Sequence, residues 1–288
     1  MLSGIHILLT LKCTARCDHC FVFGSPEGEA TLSGRELEKL FSQLMQIKSL
    51  KWIYFEGGEP FLFYPLLLLG TKTATRAGYR VGIVTNAYWA TDLEDARLWL
   101  KPLQRYNVQD LSISCGDFHS HSRAERALKA AEELKIAASL LPTKKPSIKN
   151  GKLDNGGLMF RGRAAEELTT GLPASRGEIF SSCPHEQLNN PERVHLDPHG
   201  NLHLCQGLTI GNIWQQTISE LLSSYLQKEH PLLSPLIAGG PAQLAKEMGL
   251  ITEEEFVDAC HYCYWIRQQL RKKKQLQKFL LPAEFYGA

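Results

Sequence analysis

Between residues 5 and 141 the chain alternates short β-rich runs with amphipathic stretches, and no other feature restricts its fold as tightly. Ile5–Leu11, Lys51–Phe55, Tyr79–Thr85, Leu111–Ser114 and Ile136–Leu141 read as strands. Between them Ser33–Ile47, Pro65–Ala77, Thr91–Tyr106 and Ser122–Leu134 read as helices. Capping boxes at Ser33/Glu36 and Thr91/Glu94 mark two of the helix starts. Leu158–Phe160 reads as a sixth strand after the polar loop 143–156. Such alternation predicts parallel βα units curling into a partial (β/α)6 TIM-like barrel, with its chemistry on the loops at the C-terminal strand ends.

The pattern changes near residue 170. Val194–Asp197 and Leu202–Cys205 alternate around Pro198-His199-Gly200-Asn201, a β-hairpin signature. Helical stretches follow at Asn212–Tyr225, near Ala242–Met248, and from about Glu253 onward. The expected organisation is a core over 1–170 and a small C-terminal domain of hairpin plus helices over 171–288.

Charge excludes some functions. The 32 basic and 30 acidic side chains leave +2, which gives no electrostatic case for nucleic acid or membrane binding. The run Arg271-Lys272-Lys273-Lys274 reads as a solvated helix face. No secretory leader is visible, and the apolar cluster Pro65–Gly70 is too short to cross a bilayer. A cytoplasmic protein is expected. In that reducing compartment its eight cysteines point to metal rather than to disulfides.

Three of them, Cys13, Cys17 and Cys20, lie within eight residues on the loop after the first strand. Thiolates select zinc, copper or iron–sulfur clusters. Zinc would need a fourth ligand, which His19 could supply. A four-iron cluster held by three thiolates keeps one iron open to an exogenous ligand. A missing fourth cysteine then creates a binding site.

The C-x3-C-x2-C spacing in this place resembles the radical S-adenosylmethionine (radical SAM) superfamily. The residue before the third cysteine, usually aromatic there, is His19 here. The resemblance spans about residues 5–168 and extends to three further stretches. Gly57-Gly58-Glu59-Pro60 after the second strand matches the family's GGE motif, whose backbone receives the SAM amino group. Asn86, Ser112 and Ser114, on or just after the third and fourth strands, match positions used for the SAM carboxylate and ribose. Gly162-Arg163-Ala164 resembles a GRA motif, with Arg163 as a contact for the SAM carboxylate. The resemblance implies a [4Fe-4S] cluster with an open iron, bound SAM, and reductive cleavage to a 5′-deoxyadenosyl radical that abstracts hydrogen from substrate. It also implies an external one-electron reductant of flavodoxin or ferredoxin type.

Cys183, Cys205, Cys260 and Cys263 form a second set. One cysteine before a hairpin, one on its return strand and a later C-x2-C resemble the twitch form of the SPASM domain. The arrangement is similar to a twitch-domain dehydrogenase whose auxiliary [4Fe-4S] cluster is also held by four cysteines. Structural zinc is the alternative for four thiolates. A closed auxiliary cluster suits electron transfer, hence a net oxidation by a radical SAM oxidoreductase or maturase. The expected substrate is a small molecule, or a peptide delivered by a separate protein, because the triad begins at Cys13 with no room before it for a peptide-recognition domain of the kind many peptide-modifying relatives carry. A non-catalytic metal-cluster scaffold is the contrasting expectation. Asp117, His119 and His121, on the loop after the fourth strand, are candidate acid–base groups. Cys115 reads as a buried small hydrophobe.

Overall fold

The computed structural model describes residues 1–225 and 230–288. Its first half runs β1 (Gly4–Thr10), α1 (Gly34–Leu44), β2 (Trp52–Gly57), α2 (Tyr64–Arg76), β3 (Arg80–Thr85), α3 (Leu93–Gln104), β4 (Asp110–Gly116), α4 (His121–Glu133) and β5 (Ala138–Thr143). A small hairpin, β6 (Ser147–Lys149) and β7 (Lys152–Asp154), lies in the polar loop, and α5 (Arg163–Glu167) follows. The second half holds β8 (Ser175–Arg176), β9 (Arg193–Leu196), β10 (Asn201–Cys205), β11 (Leu208–Asn212), α6 (Ile218–Ser224), α7 (Leu233–Glu247), β12 (Glu255–Phe256) and α8 (Ala259–Arg271).

One sheet of eight strands organises the molecule, in the order β11-β10-β9-β1-β2-β3-β4-β5. The six strands from β9 to β5 are parallel, and β10 and β11 are antiparallel. β5 and β11 remain as edges, so the barrel does not close. The expected hairpin is present as β9–β10, and it continues the sheet by pairing β9 with β1.

Leu158–Phe160 is not a strand. Leu158 and Phe160 are buried, and left-handed glycines at 157 and 162 bracket them. The apolar run is a buried turn into α5, which periodicity alone cannot distinguish from a short strand. The sixth parallel strand is β9 instead.

Alternation along the strands divides the sheet into two faces. Ile5, Ile7 and Leu9 of β1 are fully buried. On β2 the Phe55 ring lies beneath Gly70 of α2, close to Leu37 of α1. Each such apolar side chain contributes about 1.5–3 kcal/mol. The other face looks into the barrel, where His195, His6, Tyr54, Gly82 and Asp110 stand at one register level across five strands. Tyr54 crosses over Gly82 and donates to Asp110 (2.8 Å).

The capping box at Ser33/Glu36 forms as expected. At α3 the cap is Asp92, not Thr91: Asp92 accepts from the Asp95 backbone N–H at 2.8 Å, while the Thr91 hydroxyl bonds the Asp95 side chain. A carboxylate facing the helix N-terminus is favoured by the helix dipole as well as by the hydrogen bond.

Candidate functional site

The cysteine loop leaves β1 and is fixed by backbone bonds. Cys13 N–H donates to Ser25 O (2.8 Å) and Cys20 N–H to Cys17 O (3.1 Å). Gly58 N–H reaches back to Thr10 O and Glu59 N–H to Lys12 O, which seats the turn after β2 against the loop. The result is one cavity at the C-terminal strand ends, lined by Cys13, Cys17, Cys20, Gly57, Gly58, Asn86 and Ser114. Asn86 Nδ2 donates to Thr14 Oγ1 (3.1 Å) and lies 3.5 Å from Cys13 Sγ.

Four further expected site residues stand off this cavity. The buried Glu59 carboxylate accepts from Thr85 Oγ1 (2.8 Å), Asn86 N–H (2.7 Å) and Phe61 N–H (3.1 Å). Burial pushes its pKa up to about 7 against these three donors. Glu59 staples the ends of β2 and β3 together, and Pro60 is buried behind it. Ser112 Oγ bonds the Asp110 carboxylate at 3.2 Å. Arg163 is buried, donates to Gly24 O and lies over the Phe23 ring, so it ties down the far end of the cysteine loop.

His19 and His119 complete the rim of the cavity. Their ligand atoms and Cys17 Sγ lie within 4.8 Å of one another. Burial, then neighbouring His119, lowers the His19 pKa to about 4, and among the described residues its Nδ1 has no hydrogen-bond partner. Asp117 instead accepts from Lys145 N–H (2.7 Å). Cys115 is buried, as expected. Burial, reinforced by Cys20 and Cys13, raises Cys17 to about 12, so its thiolate would form together with metal binding.

The barrel wall beneath holds residues that the sequence reading did not single out. Glu56 lines the cysteine cavity and accepts from His6 Nδ1 (3.1 Å), with His195 Nδ1 at 3.5 Å. Burial acts to raise the Glu56 pKa, but His6 and His195 outweigh it and hold the carboxyl well below its usual range. Burial itself lowers His195 to about 4, so His195 serves as a neutral hydrogen-bond partner rather than as a cation. Period-two reading of β1 and β2 would have found the pair, because His6 and Glu56 both fall on the inward face.

The second set also converges. Cys205 ends β10, and Cys260 and Cys263 share one face of the first turn of α8, whose cap Asp258 accepts from His261 N–H (2.7 Å). With Cys183 they line one cavity walled by Leu188, Leu208 and Leu236. All eight cysteines are free thiols. Among the described residues, no three sulfurs of either set lie within 4.8 Å of one another. Thiolates at about 2.3 Å from a single zinc would sit about 3.8 Å apart. No helix among the described residues is long and apolar enough to cross a membrane.

No family model matches the chain. It is 25% identical over 116 residues to the putative peptide biosynthesis protein YydG of Bacillus subtilis (strain 168), a match over 40% of this chain and 36% of YydG. The chain thus spans about a third of that relative. Its fold is that of BtrN, solved in complex with AdoMet and 2-DOIA. The TM-score is 0.56 at 20% identity, covering 89% of this chain and 98% of BtrN. Selenomethionyl BtrN in an open conformation gives 0.51 at 18% identity, over 83% and 87%. The chain therefore has the BtrN fold, with Cys13, Cys17 and Cys20 on the loop that follows its first strand.

Proposed function

We propose that the chain is a radical SAM enzyme carrying out a net oxidation, with a core over 1–170 and an auxiliary-cluster segment over 171–288. The observation that carries this reading is the single cavity on which Cys13, Cys17 and Cys20 meet the Gly57–Gly58 backbone, Asn86 and Ser114. The donor set fits a [4Fe-4S] cluster: three free thiols, more widely set than one zinc requires, and no fourth cysteine beside them. When bound, such a cluster supplies the electron that cleaves SAM to methionine and a 5′-deoxyadenosyl radical.

The chain's own residues position the reactants. Gly57 and Gly58 offer backbone to the SAM amino group, and Asn86 and Ser114 offer polar side chains to its carboxylate and ribose. Glu59 and Arg163 support this arrangement from behind, through the strand ends and the cysteine loop. Cys183, Cys205, Cys260 and Cys263 fit a second, closed [4Fe-4S] cluster in an apolar enclosure. The ionised Glu56, with His6, Tyr54 and Asp110 on the same wall, suits a substrate bearing hydroxyl or amine groups. A small substrate is the first reading; BtrN, which shares this fold, was solved in complex with AdoMet and 2-DOIA. The match to YydG supports a second reading, a peptide substrate. An external one-electron donor, of flavodoxin or ferredoxin type, would reduce the first cluster.

Anaerobic reconstitution with iron and sulfide tests the metal content. About eight irons per chain are expected, falling to about four when Cys13, Cys17 and Cys20 are replaced by alanine. Zinc taken up in preference to iron at both sets overturns the reading.

A further inference from the structure

The cavity of the second cysteine set also receives two arginines. Arg161 and Arg267 are 3% and 2% exposed. Arg161 Nη1 lies 2.9 Å from Cys205 Sγ, and its buried Nε has no partner among the described residues. Arg267 Nη1 donates to Gln206 O (2.9 Å), the residue after Cys205, and lies 4.0 Å from the same sulfur. Among the described residues Arg267 Nε reaches only Cys263 O, at 3.4 Å.

Burying a guanidinium without a counter-charge is costly. Among the described residues Arg267 forms no carboxylate ion pair. Arg161 has Glu186 at 3.9 Å, and Glu186 also serves Arg193 at 3.3 Å. Carboxylates therefore do not balance the two buried cations. The groups that converge on them are the four thiols. Four thiolates carry more negative charge than the core of a four-iron cluster carries positive, so the bound centre is an anion, and each added electron makes it more so. Hydrogen bonds to the sulfurs, net charge and burial set the potential of such clusters.

We propose that Arg161 and Arg267 together raise the reduction potential of the auxiliary centre, making it a competent electron acceptor. They act through the Cys205 sulfur and its neighbouring backbone, as tuning residues that do not touch substrate. The inference rests on the reading of Cys183, Cys205, Cys260 and Cys263 as cluster ligands.

The test uses the 288-residue chain with Cys13, Cys17 and Cys20 replaced by alanine, so that only the auxiliary cluster remains. A redox titration followed by electron paramagnetic resonance reads its midpoint in this parent and in R161Q, R267Q and R161K. The expected result is a more negative midpoint in R161Q and R267Q at unchanged iron content, with R161K closer to the parent. Unchanged midpoints in both glutamine variants overturn the inference. So does loss of iron from all three variants, which would make the arginines purely structural. A parent that binds zinc and no iron instead sinks the auxiliary-cluster reading itself.

Discussion

The cysteine loop is gripped at both ends by backbone contacts that leave no room for a side chain, and Gly162→Ala tests that grip. A Cβ at position 162 would stand 2.5 Å from Phe21 Cα and 2.8 Å from Cys20 O. Both are main-chain atoms and cannot rotate aside. Overpacking of this kind costs about 1–3 kcal/mol. Gly162 also has φ of +58°, which adds about 1–2 kcal/mol for alanine. The sum is about 2–5 kcal/mol, which for a chain of 288 residues lowers Tm by about 3–8 °C. Because the clash falls on Cys20 and its neighbour, one thiol of the triad is displaced. Iron should fall from about eight to about four per chain while the second set stays loaded. At the other end, Gly58→Ala drives a Cβ to 2.1 Å from Lys12 O and should act in the same way through Cys13. A Gly162→Ala protein with the parent's melting temperature and iron content would refute the reasoning.

Three further outcomes are expected. Asn86→Ala should keep its iron but lose about 10- to 100-fold in SAM cleavage, as loss of a supporting contact at a metal site does; unchanged 5′-deoxyadenosine yield would contradict this. Glu59 has a folded pKa (about 7) above its ordinary 4.5, so it holds its proton more tightly when folded. Its contribution is full below about pH 4.5 and is lost as pH rises through 7, by up to about 3 kcal/mol. Urea midpoints at pH 5 and 7.5 should therefore differ more in the parent than in Glu59→Gln; parallel profiles would count against it. Asp197 is fully buried and accepts from His199 N–H, Asn201 N–H, Asn201 Nδ2 and His203 Nε2 within 3.1 Å. Burial acts to raise its pKa, but the bonds from His203 and Asn201 hold it low. Asp197→Ala should cost about 3–5 kcal/mol in denaturant unfolding, and a loss below about 1 kcal/mol would show that the β9–β10 turn does not depend on it.

Local signals were enough for the βα alternation, because each strand and helix there carries its own period and most carry their caps. They failed where tertiary packing decides. Leu158–Phe160 is apolar enough for a strand but too short to show a period, and the vacancy beside β1 is filled by β9 from much later in the chain. Thr91 and Asp92 both suit a helix start, and only the geometry selects Asp92. Both cysteine sets were legible from spacing. The groups around them were not: Arg161 and Arg267 stand beside recognisable motifs, but their contacts to Cys205 and Gln206, like that of His195 to Glu56, come from distant segments and only the fold brings them together. Arg163 lies in a recognisable motif, yet its guanidinium holds Gly24 and Phe23 rather than lining the cavity.

The central claim is that Cys13, Cys17 and Cys20 hold a cluster whose open iron engages SAM, and cleavage of SAM tests it most directly. Anaerobically reconstituted protein is given dithionite and SAM, and 5′-deoxyadenosine is quantified beside the Cys13/Cys17/Cys20→Ala variant. The account predicts 5′-deoxyadenosine from the parent and none from the variant. Iron-loaded parent that leaves SAM intact, or equal cleavage by the variant, would contradict it.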